Sequence, residues 1–303
     1  MTAGRAAPSG GRAARAVAVV AGAALAATSL TVTAVAPPAA AQGVADPAPI
    51  TLQTATRAAT PAAMSDPSYY GMDLADVNGD GTPDAAAPVV FNVPGVGVRS
   101  VVQVQPGQGD GTFGAPTLEA DLPVTGGPGP GSIYYGMRVV FGSFTGDASL
   151  DLAATHVGSA AIFIFEGNGD GTFDPPTQVP LTFYPSSLRA GDLNGDGTDD
   201  FVAGWAWGTP GPVRLAVLTS TTPGAWSTQE IDPGATIADI TVGDVDGGGG
   251  NDLVVGRDGA NLAIYANDGT GGFTAPPTTI PGTSDRRNLA VGDVDGDGDV
   301  DIV

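Results

Sequence analysis

Five times the chain returns to one nine-residue pattern. It reads DVNGDGTPD at 76–84, SFTGDASLD at 143–151, DLNGDGTDD at 192–200, DVDGGGGND at 244–252 and DVDGDGDVD at 293–301. The copies start 67, 49, 52 and 49 residues apart, which is the spacing of a structural repeat. A second motif falls between them: GQGDGTFGAP (107–116), GNGDGTFDPP (167–176) and NDGTGGFTAPP (267–277). In the third repeat TSTTPGAW (219–226) takes its place, with Trp226 where the others carry Phe. The apolar segments in between are short or alternate with period two, as in LAVGDV (289–294), DLVVGR (252–257), LAIYAND (262–268) and AIFIFEG (161–167). No stretch sustains helical periodicity, and Pro and Gly punctuate the gaps. Each repeat therefore holds four short strands, one blade of a β-propeller. The expected fold is all-β, with four full four-stranded blades and the start of a fifth. The Gly and Ala of LAVGDV suit an innermost strand, where blades converge and large side chains do not fit. A β-sandwich does not predict so regular a recurrence.

The acidic loop has its own chemistry. Oxygen-bearing side chains stand at positions 1, 3, 5 and 9, with Gly at position 4 and usually at 6. Crowded carboxylates repel, by roughly 4 kcal/mol at 4 Å and an effective dielectric near 20, so a cation among them offsets a real cost. Calcium takes six to eight hard oxygens in a flexible shell, and glycine permits the positive φ that turns alternate side chains inward. The expected ligands of the first loop are Asp76, Asn78, Asp80, the Thr82 carbonyl and Asp84. Those of the third are Asp192, Asn194, Asp196, the Thr198 carbonyl and Asp200, and those of the last Asp293, Asp295, Asp297, the Asp299 carbonyl and Asp301. The fourth loop keeps Asp244, Asp246 and Asp252 but has Gly248 at position 5; the second keeps only Asp147 and Asp151. These two are weak sites or plain turns. An EF-hand needs Glu at position 12 between helices, whereas Ala87, Ala203 and Val255 stand there among strand-like residues. Asx-type turns without metal are the remaining alternative.

These motifs resemble the FG-GAP repeat, also called the VCBS repeat, of the integrin α-chain propeller and many secreted bacterial proteins. Phe113-Gly114-Ala115-Pro116 spells the signature, and the DxDxDGxxD-type loop matches at 76–84, 192–200 and 293–301. The resemblance covers roughly 67–303. It implies calcium ions clipping the hairpin between the first two strands of a blade. It implies far less about function, because propellers host adhesion modules, lectins and appendages of enzymes alike. Members commonly close seven blades, so the chain is expected to be incomplete, an open arc of a longer protein; a complete small propeller of five blades, or one closed by dimerisation, is the rival. ITLQTATR (50–57) has the pattern of a strand that could join a closing blade.

The N-terminus is a different object. Arg5, Arg12 and Arg15 precede the uncharged run 16–36, and Ala39-Ala40-Ala41 offers a cleavage site before Gln42. This is the design of a secretory signal peptide over 1–41, the alternative being an uncleaved anchor. Residues 42–66 then form an Ala/Pro/Thr-rich linker with room for one strand, ahead of the repeats at 67–303. The expectation is a secreted or cell-surface protein with no membrane span after cleavage. Of 32 acids only three are Glu, all 11 bases are Arg, and there is no Cys. Short carboxylates and 47 Gly fit tight acidic turns, and a net charge of −21 argues against nucleic acid and anionic lipid as partners.

An enzyme is not expected: His156 is the sole histidine, and no GxSxG or HExxH motif occurs. The segments entering each first strand read SYYGM (68–72), SIYYGM (132–137), FYPSS (183–187), GATI (234–237) and SDRRN (284–288). They place Tyr70, Tyr135, Tyr184, Arg286 and Arg287 at the end opposite the acidic loops, as aromatic and cationic contacts for an extracellular glycan or protein. The bland alternative is that the rings fill the core between blades. A structural spacer, or an accessory domain of a larger protein that includes a polysaccharide-acting enzyme, is the other function class.

Overall fold

The computed structural model describes residues 30–32, 50–52, 65–69, 71–93, 97–122, 137–156, 158–205, 214–222, 224–273, 276–282 and 289–303. These residues form strands, turns and bends and no helix. Blades 2, 3 and 4 are four-stranded antiparallel meanders. Blade 2 runs Arg138–Gly142, Asp151–Thr155, Ala161–Phe165 and Thr177–Pro180. Blade 3 runs Ser187–Gly191, Asp200–Gly204, Leu215–Thr222 and Ala225–Ile231, and blade 4 runs Ile237–Gly243, Asp252–Arg257, Leu262–Tyr265 and Thr278–Ile280. The expected propeller blades are therefore present.

Blade 1 differs at its inner edge. Asp84–Val93, Gly97–Gln105 and Leu118–Asp121 pair in order, and two short strands, Ser65–Tyr69 and Asp73–Ala75, share the inner side of Asp84–Val93. The blade thus begins at Ser65, two residues before the repeat boundary expected from sequence. Of blade 5 the hairpin Val291–Gly292 with Asp301–Ile302 is formed. Ile50–Leu52 pairs with Leu30–Val32 in a separate two-stranded sheet. Residues 53–57, the rest of the segment expected to be a strand, lie outside the described residues.

The core lies between blades, not within them. Strands Asp151–Thr155, Ala161–Phe165 and Asp200–Gly204 are buried along their whole length, as strands covered on both faces must be. Alternation then decides which neighbour each side chain meets. Leu152, Ala154, Phe163 and Phe165 join Val102, Val104 and Ala86 of blade 1, whereas Ala153, Ile162 and Ile164 join Leu188, Phe201 and Leu218 of blade 3. Val202, Leu215 and Val217 meet Leu253, Val255 and Tyr265 of blade 4 in the same way. Where innermost strands converge, glycine is required: a Cβ at Gly243 would lie 2.8 Å from Val291 Cγ2 of blade 5. The small residues of LAVGDV and its counterparts have this physical reason.

Candidate metal centre and ligand face

Each acidic loop joins the first strand of its blade to the second, so all of them lie at one end, here called the acidic end. Antiparallel order puts the connection between third and fourth strands at the same end, and hydrogen bonds confirm the meeting. The position-9 aspartate reaches both. Asp84 Oδ2 accepts from the Val77 amide (3.0 Å) and Oδ1 from the Gly107 amide (2.8 Å). Asp200 accepts from Leu193 (2.8 Å) and Ser220 (2.6 Å), and Asp252 from Val245 (2.9 Å) and Asn267 (2.8 Å). Asp151 accepts from the Phe144, Thr145 and Gly167 amides and the Thr145 hydroxyl. All four carboxylates are at most 1% exposed. In the last loop Asp301 Oδ2 accepts from Val294 (2.9 Å). Asp84, Asp151, Asp200 and Asp252 thus latch the acidic loop to the end of the third strand or the connection after it, a role that sequence reading did not assign to them.

The latch explains two glycines of the second motif. A Cβ at Gly107 would sit 2.2 Å from the Pro83 carbonyl oxygen, and one at Gly167 2.1 Å from that of Leu150. Only glycine lets the amide approach the aspartate this closely. Further along the motif, Thr112, Thr172 and Thr270 hydroxyls donate to Asp110, Asp170 and Asp268 (2.6, 2.5 and 2.6 Å), holding those exposed carboxyls below their ordinary pKa. They are turn residues, as their Asp-Gly pairing suggests.

Positions 1, 3 and 5 curl over the loop's own backbone. Asp76 accepts from the amides of Gly79 (2.8 Å) and Gly81 (2.8 Å), Asn78 Oδ1 from Asp80 (2.9 Å), and Asp80 from Thr82 (2.8 Å). The pattern repeats with Asp192, Asn194, Asp196 and the Thr198 amide, and again with Asp293, Asp295, Asp297 and the Asp299 amide. It requires positive φ at positions 4 and 6, met by Gly79 (74°) and Gly81 (84°). In the degenerate second loop, exposed Asp147 accepts from the Ser149 amide (2.9 Å).

Two loops gather three carboxylates with one oxygen of each within 4.8 Å of the others: Asp244, Asp246 and Asp252, and Asp293, Asp295 and Asp297. In the fourth loop Asp244 Oδ2 accepts from Gly249 (2.9 Å), but its buried Oδ1 has no hydrogen-bond partner. A buried, unpartnered carboxylate oxygen beside two further carboxylates is an unmet demand for positive charge. An all-oxygen, all-hard donor set of this kind fits calcium. Burial also pushes neighbouring position-9 groups upward: the Asp200 carboxyl to about 6, with Asp196 and Asp192 adding to the push, and Asp84 and Asp252 in the same direction.

Of the expected ligand face, only Tyr184 falls within the described residues. Tyr70, Tyr135, Arg286 and Arg287 lie outside the described residues. Tyr184 is half-buried just before Ser187–Gly191, which runs from it to the Asp192 loop, roughly 17 Å at 3.4 Å per residue. Its neighbour Phe183 is 3% exposed and packs with Phe144, Leu188 and Phe201 between blades 2 and 3. Of this aromatic pair, one ring is core and the other is available. His156, also beyond the far end of its strand, is fully buried, and burial lowers its pKa to about 4.

Blades whose cores are shared with their neighbours, carrying acidic loops at one end, define a β-propeller repeat protein. Residues 143–203 and 244–303 match the model of the FG-GAP-like repeat. No curated protein matches it. Among solved structures, one similar chain is a lectin of Agrocybe aegerita, described for its specific recognition of non-reducing terminal N-acetylglucosamine. The two are 18% identical, with a TM-score of 0.41, over 70% of this chain and 65% of the other, so this chain spans less than two thirds of the lectin's length. No helix among the described residues is long and apolar enough to cross a membrane.

Proposed function

We propose that this chain is a secreted, calcium-binding propeller module that holds an extracellular glycan or protein at its far end and performs no catalysis. The observation that carries the calcium reading is the buried, partnerless Asp244 Oδ1 with Asp246 and Asp252 around it, supported by the cluster of Asp293, Asp295 and Asp297. Calcium supplies charge neutralisation there and no bond-making chemistry. Asp76, Asn78, Asp80 and Asp84, and their counterparts at 192–200, offer the same donor types. The binding reading is supported by Tyr184, a half-buried ring on a connection held by rigid blades. The non-catalytic reading is supported by His156, which burial keeps neutral and out of contact with solvent. The basic, apolar and small-residue order of residues 1–41 supports export.

Thermal unfolding in calcium and in EDTA tests the metal. Each site is expected to add about 2.7 kcal/mol at a hundredfold excess over its dissociation constant. Superimposed melts would sink the reading. A glycan array of the mature domain then separates a saccharide ligand from a protein one.

A further inference from the structure

The innermost strands carry charges that neither the acidic loops nor the aromatic segments account for. Blade 2 opens on Arg138, within the otherwise apolar MRVVF. Its stem lies over Gly71 of blade 1: a Cβ there would stand 3.1 Å from Arg138 Cδ. Its only hydrogen bond among the described residues runs from Nη1 to the adjacent Met137 carbonyl (2.8 Å), and no carboxylate pairs with it there. The next innermost strand, Ser187–Gly191, carries Arg189, which donates to the Leu188 carbonyl (3.0 Å) and to Asp239 Oδ1 of blade 4 (2.8 Å).

Asp239 is committed to other donors and makes no hydrogen bond to Arg138. Its Oδ1 also accepts from the Ile240 amide, and Oδ2 accepts from the Leu289 amide, both at 2.8 Å. Arg138 and Arg189 stand on neighbouring innermost strands, and among the described residues only Arg189 has an ion pair, with an Asp239 already held by two backbone amides. Burial, and after it the charge of Arg189, lower the Arg138 pKa, with Asp239 acting the other way. Among the described residues, this guanidinium has no bidentate partner of the kind its planar fork is built to hold.

We infer that Arg138 and Arg189 form a binding site for a carboxylate, at and just inside the far end of the innermost strands. This rests on the far end being the ligand end and narrows the ligand to one bearing an acidic group. Arg138 supplies the open fork. Arg189, fixed by Asp239, supplies a second positive charge. An incoming carboxylate replaces the missing counter-charge at little conformational cost, because Arg189 is already held in place.

Glucuronate and glucose, which differ by the carboxylate, are the probes, with acetate as a carboxylate without a sugar; isothermal titration in calcium is the readout. The wild type is expected to bind glucuronate and not glucose. Arg138→Gln weakens glucuronate roughly tenfold or more, as loss of a charge-assisted pair requires, and Arg138→Lys falls between. Arg214→Gln, which breaks an exposed pair with Glu230 on the outer strands, leaves affinity unchanged. An unaltered calcium-dependent melt shows that each variant is folded. Acetate losing affinity in parallel with glucuronate supports the arginine site whatever the rest of the ligand. No neutral glycan bound on the array removes the neutral-saccharide reading alone. The arginine site is overturned if the wild type binds no glucuronate, or if Arg138→Gln binds it as Arg214→Gln does.

Discussion

Asp151 offers the sharpest separation of the latch from the metal, because its loop has Ser143 and Thr145 where the others have Asp and Asn or Asp, and so depends least on calcium. Replacing it by Ala removes the acceptor for the buried Phe144 and Gly167 amides (2.8 and 3.0 Å), and for the partly buried Thr145 amide and hydroxyl. Each stranded buried donor costs about 1–3 kcal/mol, so the two fully buried amides alone amount to about 2–6 kcal/mol. Against a typical stability of about 5–15 kcal/mol, this brings the protein near its limit. Asp147→Ala is the control: that side chain is exposed and holds one amide, so a change within about 0.5 kcal/mol is expected. Asp151→Asn falls between, since its carbonyl still accepts while its NH2 group faces other donors. Urea unfolding in EDTA at pH 7 measures all three with metal effects removed. If Asp151→Ala and Asp147→Ala differ by less than about 1 kcal/mol, the latch is not a stabilising element.

Three further outcomes are expected. His156 Nδ1 accepts from the Gly158 amide, so protonation opposes donor to donor. Because the folded pKa of about 4 lies below the ordinary 6.5, His156 favours folding above pH 6.5, and about 3 kcal/mol is lost as pH falls from there toward 4. An unchanged pH profile in a folded His156→Gln variant argues against this assignment. Asp200 works in the opposite sense without metal: its raised folded pKa favours folding at low pH, and that contribution fades as pH rises through about 6. Calcium, which prefers the charged form, should abolish this decline, and identical pH–melting curves in EDTA and calcium count against it. Gly167→Ala should lower the melting temperature by more than 5 °C, since its Cβ falls on the Leu150 carbonyl; a wild-type melt would place the glycine's role elsewhere.

What the sequence made legible was local chemistry. Asp-x-Asx-Gly-Asp-Gly is a turn whose glycines must take positive φ, and Gly79, Gly81, Gly195 and Gly197 all do. The blade count followed from the recurrence of that turn. What stayed hidden depends on residues brought together by the fold. Nothing near Asp84 in sequence announces that Gly107 will hold it, 23 residues on. Phe183 and Tyr184 are indistinguishable as neighbouring aromatics until the core claims the first. The fourth loop looked weakened by Gly248, yet Asp244, Asp246 and Asp252 converge, because Asp252 is brought in by the second strand. Arg138 is a single cation in an apolar strand, and only the adjacency of innermost strands gives it a neighbour of like charge.

Because each large apolar cluster among the described residues is shared by two successive blades, each blade finishes what its predecessor began. For an evolving gene this is permissive. Duplicating a fifty-residue segment supplies a new unit whose two faces already fit the units on either side, so blade number can change without redesign of any interior. The same arrangement penalises loss: deleting one blade removes half of two cores at once. Descendants of such a gene should therefore differ by whole repeats, and their substitutions should concentrate in the connections at either end of the blades.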